Sequence, residues 1–364
     1  MTTMLNPTRT ADDVADHVFT SALGAMETLS LYLGDRLGWW ASLAEQPATA
    51  TELARRTGTQ ERYAREWLEM QAVYGNVEMS DAPRGEERSC SLTLAVAEVL
   101  TDPRSLAYLG ALPRLIVAVG RQVDALATAY AEGGGVSWAS LGPDAYEAQA
   151  ALNRPWFERR LGPALAGVPE VHELLSSPGA RVADVGCGAG WSSVALAAAY
   201  PGAQVTGVDV DEPSLVMARG QAEAAGVADR VRFVTGDGGA PGTLAGPAPY
   251  DVAFFFECLH DLAHPVAVLA QARAALRPGG VVVVMDEAVA DELRAPGDPV
   301  EQVMYGYSTL VCLPDGLSTP GSAGTGTVLR PDVLRAYAEQ AGFARVEVLP
   351  IQDFALFRFY LLRP

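Results

Sequence analysis

The sequence predicts a doubly wound α/β sheet preceded by a helical domain, and three observations carry that expectation. Residues 181–191, Arg-Val-Ala-Asp-Val-Gly-Cys-Gly-Ala-Gly-Trp, read as a buried parallel strand that enters a glycine turn and then a helix. Further apolar strand patterns follow at 205–210, 231–237, 250–257 and 280–286, with helical stretches between them. Ahead of residue 175 the apolar residues recur instead at helical spacing.

Taken in order, residues 11–46 read as helices. Val14, Val18, Leu23, Met26 and Leu29 share a periodic face that Leu31–Trp40 continues, and such a face needs a partner. Thr49 and Glu52 form a capping box for a short helix closed by Gly58. Thr59 precedes a second helix in which Tyr63, Trp67, Met70 and Tyr74 share one side, ending at Gly75. Two short strands, 76–79 and 88–92, flank the polar loop 80–87. Helix, turn, helix and two-stranded wing make a winged-helix module.

That module suggests DNA binding, but its charge opposes it. Residues 49–92 hold six basic side chains, Arg84 among them, against eight acidic ones, Glu86 among them. The whole chain of 364 residues carries 26 basic and 44 acidic residues, a net charge of −18 that repels nucleic acid and anionic membrane surfaces. The four cysteines, Cys90, Cys187, Cys258 and Cys312, are widely spaced, which fits a reducing compartment without a disulfide framework or thiolate zinc site. No apolar run approaches the length of a membrane span and no leader pattern opens the chain, so a cytoplasmic protein is expected.

Residues 101–175 read as helical, with Gly133-Gly-Gly135 as a loop. Gln149 and Asn153 stand one turn apart and offer paired polar contacts to a ligand, or form an exposed polar face. In the sheet region, Val182 and Val185 suit a strand buried on both faces, and Gly186, Gly188 and Gly190 let the backbone approach a ligand at a helix N-terminus. The spacing G-x-G-x-G, with Trp191 where a dinucleotide turn needs a small residue, disfavours NAD. Asp211, Glu212 and Pro213 open the helix after the second strand, and Gly226 follows its end. A helix at 331–340 closes at Gly342, and strands at 345–349 and 354–362 end the chain. Helices are expected between the first six of seven strands, and the brief last link makes the seventh antiparallel. Asp209, 19 residues past Gly190, then Asp237 and Glu257 each close a strand at its carboxyl end, so all three line one crevice with the glycine turn.

The series Asp184-x-Gly186-x-Gly188-x-Gly190, Asp209, Gly236-Asp237 and Asp251 resembles the motifs of class I S-adenosylmethionine-dependent methyltransferases. The resemblance implies a Rossmann-like sheet and S-adenosylmethionine as cofactor. By it the glycine turn, Asp184 included, holds the methionine portion, Asp209 the ribose hydroxyls, and Asp237 with Gly238 the adenine; Glu257 lines the same site. The amino-terminal module is similar to the dimerisation domain of plant-type and bacterial small-molecule methyltransferases, which implies a homodimer. The stretch 146–157, with Gln149, Asn153 and Trp156, resembles a helical cover over the cofactor.

Beyond the fourth strand, His260-Asp261 matches the pair that supplies the general base in plant-type O-methyltransferases. The resemblance extends to bacterial α-keto acid C-methyltransferases, phenylpyruvate-type ones included, in which such a pair and a later histidine hold a metal ion. This chain has Val311 there, in Val-Cys-Leu-Pro, so no metal is expected. Val300, Met304, Tyr307 and Val311 share a helical face that gives the substrate pocket an apolar, aromatic wall. The expected organisation is a dimerisation domain at 1–115, a helical cover at 116–175 and a catalytic domain at 176–364, with 291–330 inserted over the substrate. The expected function is methylation of a small, partly aromatic natural-product-type molecule at carbon or oxygen, with His260 and Asp261 as catalytic residues and His260 as general base or substrate orienter. The alternative is a winged-helix transcription regulator that senses S-adenosylmethionine without transferring its methyl group.

Overall fold

The computed structural model describes residues 9–83, 87–246 and 248–364, in two compact units, residues 1–117 and 118–364. Arg84 and Glu86 of the charge count lie outside the described residues.

The first unit contains α1 (Ala11–Arg36), α2 (Trp39–Glu45), α3 (Ala50–Thr57), α4 (Glu61–Tyr74), β1 (Glu78–Met79), β2 (Cys90–Ser91) and α5 (Leu94–Thr101). Thr49 and Glu52 form the reciprocal capping box at the start of α3, with bonds of 2.9 and 3.3 Å. Gly58 and Gly75 adopt φ of 68° and 79° to end α3 and α4. The core is built on three tryptophans: the rings of Trp39 and Trp40 lie 4.8 and 4.6 Å from that of Trp67. Their indole nitrogens donate to Thr59, to the Leu31 carbonyl and to the Ser30 carbonyl.

The face of α4 differs from the expected one. Ala64, Trp67, Leu68 and Gln71 are buried, whereas Tyr63 is 74% exposed. Trp67 fixes the rotation of the helix, and the small Ala64 is what fits against the tryptophan cluster three residues earlier. The wing is also shorter than expected. Among the described residues only Glu78↔Ser91 and Met79↔Cys90 pair as strands, with one further bridge from Ala48 to Cys90.

Helix α6 (Leu112–Gly120) spans the division between the units. In the second unit α7 (Val123–Glu132), α8 (Trp138–Leu141) and α9 (Pro143–Trp156) follow; α9 continues through a π-helical turn at 157–161 into α10 (Gly162–Ala166), and α11 (Pro169–Ser176) leads to the sheet. Its elements are β3 (Arg181–Val185), α12 (Trp191–Ala199), β4 (Gln204–Asp209), α13 (Glu212–Ala224), β5 (Val231–Thr235), β6 (Tyr250–Phe256), α14 (Pro265–Ala275) and β7 (Leu276–Glu287). Then come α15 (Pro299–Tyr307), a π-helical turn at 308–312, α16 (Leu313–Leu317), α17 (Pro331–Gln340), β8 (Arg345–Val348) and β9 (Phe357–Arg363).

The strand order is β5-β4-β3-β6-β7-β9-β8, and β9 runs antiparallel to both its neighbours. Strand order reverses between β3 and β6, which opens a crevice at their carboxyl ends. Side chains alternate across the sheet, so Phe254 joins the core on one face and Phe255 the core on the other. Among the described residues the expected helix between β5 and β6 is absent. That link, Gly236 to Pro249, is rich in glycine and proline, and its described residues run as turns and loop, because those residues oppose helix formation.

Candidate active site

At the end of β3 the chain turns through Gly186, Gly188 and Gly190, all at positive φ (72°, 49° and 78°). A Cβ on Gly186 would lie 2.7 Å from Cys258 Sγ, so only glycine lets β3 and the segment after β6 approach so closely. Gly188 instead faces open space, where a ligand can meet bare backbone. Asp209, at the end of β4, accepts hydrogen bonds from the Gly188 and Asp211 amides at 2.7 and 2.9 Å. Burial raises its pKa, and the two amides pull it back down.

Asp184 takes a place other than the expected ligand-facing one. It is fully buried under the turn and accepts from Ser192 Oγ and Ser193 Oγ at 2.6 and 2.5 Å, tying β3 to the first turn of α12. Burial pushes its carboxyl up to about 6 against the pull of the two hydroxyls. Asp251 also acts away from the crevice: at the start of β6 it accepts from the Arg181 amide and pairs with Arg277. Asp237 is exposed beyond β5 and accepts from the Gly239 amide at 2.8 Å, while Gly238 packs on Val185.

A cavity beside the turn is lined by Gly188, Gly190, Trp191, Tyr146, Gln149 and Asn153. Helix α9 is held over it, with the Arg154 guanidinium 4.4 Å above the Trp191 ring. Gln149 and Asn153 both project toward one partner that sequence spacing did not reveal: their amides donate to the two oxygens of Glu257 at 3.0 and 2.7 Å. Trp156 is not with them. It packs against Phe354, ring centroids 5.8 Å apart, at the edge of the core.

Glu257 directly follows β6 and is a non-glycine residue at φ 52°, with its amide bonded to the Met285 carbonyl. Burial raises its carboxyl to about 7, against the lowering effects of Asn153 and His260. His260 is 2% exposed. Its Nδ1 lies 2.9 Å from Asp286 Oδ1 and 3.1 Å from Glu287 Oε2, and its Nε2 lies 3.3 Å from Asp261 Oδ1. Burial alone would favour the neutral ring, but the carboxylates of Asp261, Glu287 and Asp286 outweigh it and hold the pKa well above the usual value. Glu287 is raised by burial and by the neighbouring charge of Asp286. Asp286 and Glu287 were missed by the sequence reading, although a pair of acids closing the fifth strand is the signal that marked Asp209 and Glu257.

Met304 and Val311 are buried and Tyr307 partly so; burial, with Glu257 and Cys312, lifts the Tyr307 phenol to about 12. Donor atoms of His260, Asp261 and Cys312 lie within 4.8 Å of one another, as do those of His260, Asp286 and Glu287. The aliphatic Val311 contributes no donor to either set.

Residues 182–280, from β3 into β7, match the family model described as a methyltransferase domain, and residues 25–101 match an Rv2258c-like winged HTH domain. The O-methyltransferase rstn1 of Aspergillus nomiae is 30% identical over 185 residues, covering 50% of this chain and 73% of that protein. A ubiquinone biosynthesis O-methyltransferase of Bordetella bronchiseptica is 34% identical over 46% of this chain and 63% of its own length. Among solved structures, mitomycin 7-O-methyltransferase MmcR superposes with a TM-score of 0.70 at 22% identity, over 97% of this chain and 99% of that one. Human N-acetylserotonin methyltransferase in complex with SAM gives 0.67 at 20%, over 99% of each. These two establish the fold. Because nearly three quarters of the Aspergillus enzyme aligns here, and the methyltransferase-domain match spans the strands that carry the glycine turn, Asp209 and Glu257, this chain belongs to the S-adenosylmethionine-dependent methyltransferases, with S-adenosylmethionine as its cofactor.

Proposed function

We propose that this enzyme methylates a small, partly aromatic, natural-product-type molecule, working as a cytoplasmic homodimer paired through its amino-terminal unit. The observation that carries the reading is the cavity at the carboxyl edge of the sheet, where the open glycine turn lies under α9 beside Tyr146, Gln149 and Asn153. The open backbone at Gly188 and the carboxylate of Asp209 suit the methionine and ribose portions of the cofactor, with Gly186 and Gly190 shaping the turn, and Asp237 with Gly238 suits the adenine. The bound cofactor supplies an electrophilic methyl on a sulfonium. Alignment of that methyl with the acceptor, and removal of the acceptor's proton, are the tasks left to the protein.

Of the two roles expected for His260, its contacts favour orienting over proton removal. The ring is clamped by Asp286 and Glu287 and in turn fixes Asp261, whose side chain is 37% exposed and so can meet a substrate. The helical stretch 116–175 is proposed as the cover, and the segment 291–330 as the substrate-facing insertion. No helix of the described residues is long and apolar enough to cross a membrane.

The test is a screen for methyl transfer from isotope-labelled S-adenosylmethionine to aromatic hydroxyl, amine and keto compounds, alongside calorimetry of cofactor binding. Cofactor binding with transfer to at least one aromatic acceptor is expected. Saturable cofactor binding without transfer, together with tight sequence-selective DNA binding, would instead favour the regulator.

A further inference from the structure

Gln149 and Asn153 of α9 line the cavity beside the glycine turn, on which the bare backbone of Gly188 also opens. Their amide nitrogens donate to the two oxygens of Glu257, at 3.0 and 2.7 Å, and Glu257 itself does not line the cavity. A carboxylate only accepts hydrogen bonds, so each carboxamide is held with its NH2 end on Glu257 and its carbonyl oxygen turned away from it. No described residue donates to Gln149 Oε1 or Asn153 Oδ1. Buried polar atoms without a partner do occur in this protein, Asp286 Oδ2 and Thr327 Oγ1 among them, but these two oxygens are not so enclosed. They stay open to solvent, and the cavity is the space that both residues border.

Glu257 is placed to hold that pair still. It sits at φ 52°, which a non-glycine residue adopts only where the surroundings impose it, and its own amide is tied to the Met285 carbonyl of β7. The 2.7 Å bond from Asn153 has the length of a charge-assisted one. Two carbonyl oxygens one helical turn apart, polarised by a carboxylate behind them, make a wall that suits N–H donors and positive charge and opposes anions. S-adenosylmethionine offers that chemistry in its methionine portion. Its ribose hydroxyls and adenine are matched by Asp209 and Asp237 in the arrangement proposed above, which leaves the α-ammonium, with three N–H donors and a full positive charge, to find acceptors beside the glycine turn.

We propose that Gln149 Oε1 and Asn153 Oδ1 accept hydrogen bonds from the α-ammonium of the cofactor's methionine portion, and that Glu257 is the positioning residue that aims them. This rests on the methyltransferase reading and deepens it. Glu257 touches neither the cofactor nor the methyl acceptor in this arrangement; it acts through the two carboxamides. In Glu257→Gln the new side chain has one carbonyl oxygen and one NH2 group. Only one of the two carboxamides can then keep its orientation, and the other turns a donor toward the ammonium.

Calorimetry of the full-length protein with S-adenosylhomocysteine, and with its desamino analogue in which hydrogen replaces the ammonium, reads this contact directly. The native protein should prefer S-adenosylhomocysteine by about tenfold or more, the size expected of hydrogen bonds to a charged group. Glu257→Gln, and separately the near-isosteric Gln149→Met and Asn153→Leu, should each shrink that preference by about threefold or more, with affinity for the desamino analogue unchanged within about twofold. Asn153→Leu leaves Glu257 in place, so it keeps the test decisive even where Glu257→Gln fails to fold. A Glu257→Gln protein that loses affinity for both ligands by the same factor would make Glu257 a merely structural residue and overturn the positioning role. A native protein that binds the two ligands alike, or Gln149 and Asn153 variants that keep the native preference, would overturn the ammonium contact. Failure of the native protein to bind S-adenosylhomocysteine at all would instead strike the methyltransferase reading, and this inference with it.

Discussion

At the residue scale, the carboxylates of the sheet edge differ in task because they differ in burial and partners. Asp209 combines a half-buried carboxylate with a bond to the glycine turn. Asp209→Ala should weaken S-adenosylmethionine binding by about 1.5–3 kcal/mol, the range for hydrogen bonds to a charged group, and unchanged affinity by calorimetry would refute its cofactor role. Asp184 is a structural acid with a measurable pH signature. Burial holds its folded pKa at about 6, above the usual 3.8 of an aspartate, so the native state binds the proton more tightly. Its contribution to stability is therefore greatest below about pH 4 and is lost as pH rises to 6, by about 3 kcal/mol in all. Asp184→Asn should flatten that slope in denaturant titrations at pH 4.5 and 7; an unchanged slope would mean that other groups set it. The sequence identified Asp184 and Asp209 by their motif, but not that one supports the turn and the other faces the cavity, since that depends on which side of the backbone Ser192 and Ser193 reach.

At the element scale, α1 and α4 show how far periodicity reaches. Both were legible as helices. On α1, Val18, Phe19, Met26 and Leu29 are each more than half exposed within one chain, which is the apolar surface a second copy would cover. Phe19→Glu combined with Met26→Glu should therefore convert a dimer into monomers in sedimentation at micromolar concentration, without loss of helical signal. A native protein that is already monomeric would count against the pairing. Truncation at residue 45 is a poorer probe, because it removes Trp39 and Trp40 from the core of the unit. On α4, Trp67→Ala should cost about 3–5 kcal/mol through lost packing against Trp39 and Trp40, and thermal melting would show it.

At the scale of the whole molecule, net charge decides what the protein binds. With a net charge of −18, no tight DNA binding is expected at moderate salt despite the winged-helix unit, and a gel-shift or anisotropy assay checks this. Chelator treatment should leave melting temperature and cofactor affinity unchanged. Stoichiometric metal in the purified protein, lost together with stability on chelation, would show that Cys312 or the acids beside His260 complete a site.

The sequence by itself determined the strands, the glycine turn, the acids that close the strands and the antiparallel last strand, because each follows from local signals: burial on both faces, chain reversal, and a link too short for a crossover. It also marked Gln149, Asn153, Glu257 and His260 individually. Only the tertiary structure decided their partners. Gln149 and Asn153 meet Glu257 more than a hundred residues away, and His260 meets Asp286 and Glu287 across adjacent strands. A side chain's charge state is set by such neighbours rather than by its position in the chain, so the partners of these residues required the folded sheet edge.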